Sequence, residues 1–109
     1  MKEIVDIPPA HLTIIKNILD KHLPSSAVVF AFGSRVKGHA KKFSDLDLTV
    51  DAGERLSRSI MTNVAFDFEE SDLPYKVDFI DWNRISESFK NIIMNDRVVI
   101  WKGNGQSSA

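Results

Sequence analysis

The chain contains no cysteine. Disulfides, thiol nucleophiles and thiolate metal sites are therefore excluded, and the fold must stand on its apolar core alone. Long hydrophobic runs are missing too. The longest, residues 27–32, falls far short of the roughly 20 residues that a membrane-spanning helix needs. Residues 1–6 mix charges and lack the apolar stretch of a secretory signal, so a cytoplasmic protein without membrane contact is expected. An excess of one charge is also absent, because 14 Lys+Arg against 15 Asp+Glu leave a formal net charge of -1. The broad basic face of a duplex binder is not available, and no direct nucleic-acid binding is expected. Repeats, linkers and low-complexity tracts do not occur.

What is present fits one small domain. The 109 residues, 43% hydrophobic and 27% charged, suffice for a single core. The expected division is a folded domain over 1–102 and a flexible polar tail over 103–109, which has nothing to bury. Pro8-Pro9 reads as a helix entry, and Leu12, Ile15, Ile18, Leu19 and Leu23 follow at helical spacing until Pro24. Residues 27–32 form a continuous apolar run, as expected of a strand buried on both faces. A second strand is expected over 45–50. A helix over 54–70 follows, since Leu56, Ile60, Val64 and Phe68 recur every fourth position. Residues 76–81 read as a third strand, and Asp81 or Asn83 as the cap of a helix reaching about residue 95 with Ile85, Phe89, Ile92 and Ile93 inward. Residues 98–101 complete the pattern as an edge strand. Helices alternating with strands predict an α/β fold on a small mixed β-sheet.

The chemistry gathers between residues 32 and 48. Gly33-Ser34 directly follows the first strand, and backbone N–H groups at such a turn suit an anion. Arg35, Lys37, Lys41 and Lys42 form an acid-free basic loop, fitted to a phosphate-bearing small molecule. Asp45 and Asp47 then share one strand face while Leu46, Leu48 and Val50 bury the other. Two adjacent acids repel, and a divalent cation held by oxygen ligands is the usual relief. A turn cap would use one of the acids and leave the other unexplained. A Walker loop is ruled out, because His39-Ala40 stand where Lys and Ser or Thr are required. An EF-hand fails as well, with Val50 at the obligatory glycine. Farther on, Asp78 lies between Val77 and Phe79, whereas Asp81 has the opposite strand parity and suits a cap. Ser44 either touches phosphate or shapes the approach to the strand, and shaping is favoured. Arg35 is a phosphate contact or a solvated loop charge. His39 reads as exposed, His11 and His22 as helix-surface residues, and Trp82 and Trp101 as core or partner-facing aromatics.

Gly-Ser, ten residues, Asp-x-Asp, then a later acid between apolar residues resembles the nucleotidyltransferase superfamily that includes DNA polymerase β and kanamycin nucleotidyltransferase. The likeness is greatest to its minimal nucleotidyltransferases, the small partners of HEPN-domain proteins. It covers about residues 12–101 and implies the polymerase β-like nucleotidyltransferase fold. The resemblance also implies that Asp45 and Asp47 hold two Mg²⁺ ions and that Asp78 completes one of them. Gly33 and Ser34 would then cradle the triphosphate of an ATP donor, with Arg35, Lys37 and Ser44 as further candidate contacts. Where the family often carries Arg before the second glycine this chain has Lys37, a less directional charge. The implied reaction is AMP transfer to a hydroxyl of a HEPN-domain toxin, with this chain as antitoxin. Two competing expectations are a non-catalytic antitoxin that masks its partner and transfer to a small-molecule acceptor.

Overall fold

The computed structural model describes residues 6–37 and 44–103. Helix α1 (Pro9–His22) starts on proline, whose missing N–H is unneeded in the first turn, and ends where the Leu23 N–H closes onto Leu19 O at 2.9 Å. It buries Ile15, Ile18 and Leu19. Strand β1 (Val28–Phe32) follows, then the short helix α2 (Ser34–Lys37) and strand β2 (Leu46–Asp51). Helix α3 (Arg58–Glu70), strand β3 (Val77–Asp81), a 3₁₀ turn (Trp82–Arg84), helix α4 (Glu87–Met94) and strand β4 (Val98–Lys102) complete the described chain.

The four strands form one sheet in the order β3-β2-β1-β4. β1 pairs antiparallel with β2 and β4, and β2 pairs parallel with β3, so the sheet is mixed as the alternation of elements predicts. One face carries Val29, Ala31, Leu46, Leu48 and Val50, all fully buried in a core with α1 and α3. The register places Phe32 beside Asp47, Phe30 beside Thr49 and Asp47 beside Asp78 on the opposite face. Core packing thus leaves Asp47 and Thr49 of β2 and Asp78 of β3 on the other side.

Several expectations need correction. β1 is buried on one face only, since Val28, Phe30 and Phe32 stay partly accessible. α3 begins four residues after position 54, because the Ser57 hydroxyl accepts the Ile60 N–H at 3.2 Å and caps the helix there. Leu56 is buried ahead of the helix. Asp81 caps only the 3₁₀ turn, while Ser86 caps α4 by accepting the Phe89 N–H at 3.2 Å. Along α4 only Ile93 is buried, and Phe89 and Ile92 are 37% and 60% exposed. Trp101 belongs to the core and donates its indole N–H to Asp20 at 2.8 Å, so it faces no partner.

The expected tail boundary also moves by one residue. Gly103 is buried, its N–H bonds to Ala27 O at 2.9 Å, and a side chain there would run into the Ser25 carbonyl. The remainder of the tail, 104–109, lies outside the described residues, as do Gly38, His39, Lys41 and Lys42. His11 and His22 are not mere surface residues: His11 Nδ1 lies 3.0 Å from the Tyr75 hydroxyl, and His22 Nε2 lies 2.6 Å from Asp67 on α3. No helix among the described residues is long and apolar enough to cross a membrane.

Candidate active site

β1 delivers the chain at Phe32 into Gly33, whose φ of 83° lies in the left-handed region that glycine adopts without strain. Glycine is needed here for a second reason. A Cβ at this position would overlap the carboxylate of Asp47, so the turn and the acid occupy one locality. The Val36 N–H bonds back to Gly33 O at 3.1 Å and tightens the bend into α2.

Asp47 projects from β2 on the face away from the core, and Asp78 stands opposite it in the parallel register. Burial first, then the negative charges of Asp78 and Asp45, push the Asp47 carboxyl above its ordinary value of 3.8. The closeness of the Asp78 carboxyl acts in the same direction. Asp45 lies exposed one residue ahead of β2, close enough for its charge to act on Asp47. Lys76, on the residue two before Asp78, places its ammonium 3.4 Å from the Asp78 carboxylate. The structure thus brings Gly33, Asp45, Asp47 and Asp78 together.

Asp81 is 3% exposed and directed to the core side. It accepts the Leu56 N–H at 2.8 Å and the Asn83 N–H at 3.0 Å, and pairs with Arg84 at 3.4 Å. It is a structural acid, and the parity argument made from the sequence separates the two aspartates correctly.

Arg35 requires a correction of its reading as a solvated loop charge. Only 4% exposed, it is no solvated loop charge. Its Nε and Nη2 donate to Ser44 O at 3.1 and 3.0 Å, its Nη1 donates to Asp6 O at 2.8 Å, and its guanidinium lies 3.9 Å from the Tyr75 ring centroid. A guanidinium held this way on carbonyls and a ring is engaged in the fold. Ser44 contributes its carbonyl to that arrangement, in line with a shaping role. The Lys37 side chain lies outside the described residues.

Two participants escaped the sequence reading. Lys76 shares strand parity with Asp78, a signal that was available. Thr49 is fully buried two positions along β2 from Asp47, and its Oγ1 has no hydrogen-bond partner among the described residues. Nothing in its one-dimensional neighbourhood marks it.

The donor set suits a hard divalent cation. All the candidate ligands are carboxylate oxygens, crowded enough that a bound cation would relieve their mutual repulsion. Among the described residues no group of three or more acidic or imidazole side chains is set to hold a metal ion. Mg²⁺ does not call for one, because it binds through one or two carboxylates and takes its other ligands from water and substrate phosphates.

Comparison with known proteins shows the family of the chain. The family model for polymerase beta nucleotidyltransferases matches residues 13–106. A Haemophilus influenzae protein named "Probable protein adenylyltransferase MntA" is 47% identical over 96 residues, covering 88% of this chain and 83% of the relative. A solved toxin–antitoxin structure with AMP-PNP superposes with a TM-score of 0.71 at 22% identity, over 84% of this chain and 73% of the other. A tri-AMPylated Shewanella oneidensis HEPN toxin in complex with MNT antitoxin gives 0.62 at 20% identity, over 84% and 72%. At these identities the two structures bear on the fold.

Proposed function

The chain belongs to the polymerase beta nucleotidyltransferase family, and from that premise we propose that it transfers AMP from ATP to a hydroxyl of a partner protein, acting as antitoxin to a HEPN-domain toxin. The observation that carries this reading is the Asp47–Asp78 carboxyl pair, held beside Gly33 with Asp45 adjacent. The name of the Haemophilus relative supports protein adenylylation, and the toxin–antitoxin complexes support the HEPN partner.

Asp45 and Asp47 would hold two Mg²⁺ ions and Asp78 would complete one of them. When bound, the ions neutralise phosphate charge and lower the energy of the attacking and departing oxygens. The chain's own residues bind and orient. Gly33 leaves room for phosphate against the backbone, and the N–H and hydroxyl of Ser34, the next residue, would be donors to it. The acceptor oxygen forms a bond to the α-phosphorus while the bond to the α–β bridging oxygen breaks. Pyrophosphate leaves with that oxygen, and the hydroxyl proton passes to the Asp78 carboxylate. Placing donor and acceptor in line is the larger part of the rate enhancement, because phosphoryl chemistry asks the protein mainly for position and charge.

Incubation with a co-purified HEPN-domain partner, ATP and Mg²⁺, followed by intact-mass measurement, tests the proposal. The partner is expected to gain one or more AMP units. A partner of unchanged mass that is still neutralised would replace the enzyme with a masking antitoxin.

A further inference from the structure

Arg35 joins parts of the chain that the sequence holds far apart. Its Nε and Nη2 both donate to the carbonyl of Ser44, at 3.1 and 3.0 Å. That carbonyl belongs to the peptide unit linking Ser44 to Asp45. Because a peptide unit is planar, two donors on its oxygen fix the plane from which Asp45 departs. Asp45 is exposed and precedes the first residue of β2, so the sheet ladder alone does not hold it.

The other contacts of Arg35 anchor this grip. Its Nη1 donates to Asp6 O at 2.8 Å, and the Asp6 N–H returns a bond to Arg35 O at 2.9 Å. Its guanidinium lies over the ring of Tyr75, the residue before Lys76, and Lys76 O accepts the Leu46 N–H at 2.9 Å at the start of the β2–β3 pairing. One buried side chain thereby spans α2, the Ser44–Asp45 peptide and the entry to β3. These are the places from which the Gly33 turn, Asp45 and Asp78 project.

We infer that Arg35 is a positioning residue that sets Asp45 against the Asp47–Asp78 pair, so that its loss weakens divalent-cation binding without removing a ligand. The inference rests on the reading of those acids as a metal and nucleotide site. Lysine cannot replace the fork. A single ammonium keeps the charge but gives up the paired donors on Ser44 O and the planar stack on Tyr75.

The test is titration of Mn²⁺ alone, followed by electron paramagnetic resonance of the free ion, on the wild-type chain, Arg35→Lys and Tyr75→Leu. Arg35→Lys is expected to raise the Mn²⁺ Kd about tenfold or more, the scale seen when an outer-shell partner of a metal ligand is removed. Its affinity for AMP-PNP in EDTA should stay at the wild-type value, since the guanidinium is engaged on Ser44 O, Asp6 O and the Tyr75 ring. A folded Arg35→Lys with unchanged Mn²⁺ affinity overturns the inference. So does a loss of nucleotide affinity in EDTA matching the loss for the metal, which would make Arg35 a phosphate contact.

If Arg35→Lys does not fold, Tyr75→Leu decides. It keeps the guanidinium hydrogen bonds, removes the ring, and should shift the Mn²⁺ Kd in the same direction by less. An unchanged Kd in that variant overturns the inference. A wild-type chain that binds Mn²⁺ but transfers no AMP defeats the transferase proposal and leaves this inference to the Kd comparison. A wild-type chain that binds no Mn²⁺ defeats both.

Discussion

Asp47 of β2 and Asp78 of β3 are direct partners across a parallel strand pair, close enough that the charge of Asp78 raises the Asp47 carboxyl above its ordinary value. Strand parity makes this relationship all-or-none. A slip of one residue would bring Val77 or Phe79 opposite Asp47 and turn Asp78 into the core. The apolar residues that alternate with the acids, among them Leu46 and Leu48, are fully buried and hold the register against that slip.

Replacing either acid by its amide should abolish transfer without unfolding the protein. For Asp47→Asn the loss in kcat is expected to be at least about 10²-fold, the scale of removing one preorganised electrostatic group. The same variant should still bind its partner in a pull-down. Full neutralisation of the toxin in cells by Asp47→Asn would contradict a catalytic antitoxin.

Stability should respond to pH at Asp47 in the sense opposite to a salt-bridged acid. Its folded-state pKa is raised, first by burial and then by the charges of Asp78 and Asp45. Between the ordinary 3.8 and that raised value, the folded protein keeps a proton that the unfolded chain has lost. Stability therefore declines as pH climbs through this window, and Asp47→Asn should flatten the slope. Urea midpoints in metal-free buffer from about pH 4 to pH 7 measure it. The same proton competes with the cation, so Mn²⁺ affinity should fall as pH drops through the window.

Gly33→Ala should separate fold from site. The φ of 83° is strained for alanine, at a cost of about 1–2 kcal/mol, and the new methyl runs into the Asp47 carboxylate. A lowered but cooperative melting transition with nucleotide binding lost is expected, measured by calorimetry with AMP-PNP. Wild-type nucleotide affinity in this variant would mean that the turn does not serve as the phosphate cradle.

Asp78 and Asp81, three residues apart, should fail in different ways. Asp81→Ala orphans the Leu56 and Asn83 N–H groups and should cost about 1–3 kcal/mol of stability for a buried group left unpaired. Asp78→Ala leaves no buried donor unpaired and should preserve the melting temperature while removing transfer. Parallel melting curves and mass assays on the two variants show whether the division holds.

His22 and Asp67 tie α1 to α3, with 2.6 Å between Nε2 and Oδ2. The hydrogen bond from His22 is the foremost cause that lowers the Asp67 carboxyl below its ordinary 3.8. A depressed acid stabilises the fold above its unfolded-state pKa and loses that contribution as pH falls through the folded value. His22→Ala should therefore melt below wild type at neutral pH, with the gap closing at strongly acid pH. Thermal scans at both pH values check it.

The sequence was readable wherever the physics is local. Proline entry, helical spacing and turn glycines marked α1 and the Gly33 bend, and alternation with apolar residues assigned the acids of β2 to the face away from the core. Local reading erred where apolar periodicity was followed past a capping residue or onto an uncovered helix face. Ser57 and Ser86 begin their helices because their hydroxyls reach the N–H three residues on, whereas the apolar periodicity ran through both boundaries. In α4 the same periodicity counted Phe89 and Ile92 as inward, yet too little of the sheet lies beneath the helix to cover them.

By itself, then, the order of residues determined a strand, a glycine turn and the placing of Asp47 on the strand face away from the core, whereas Asp45, expected on the same strand, lies one residue ahead of it. These depend on backbone periodicity and turn preference, which act over a few residues. Only the tertiary structure decided that Asp78 meets Asp47, that Lys76 stands beside it and that Arg35 grips the Ser44–Asp45 peptide instead of facing solvent. Those outcomes follow from strand register and from the need of a buried guanidinium for acceptors, which only the folded chain brings within reach.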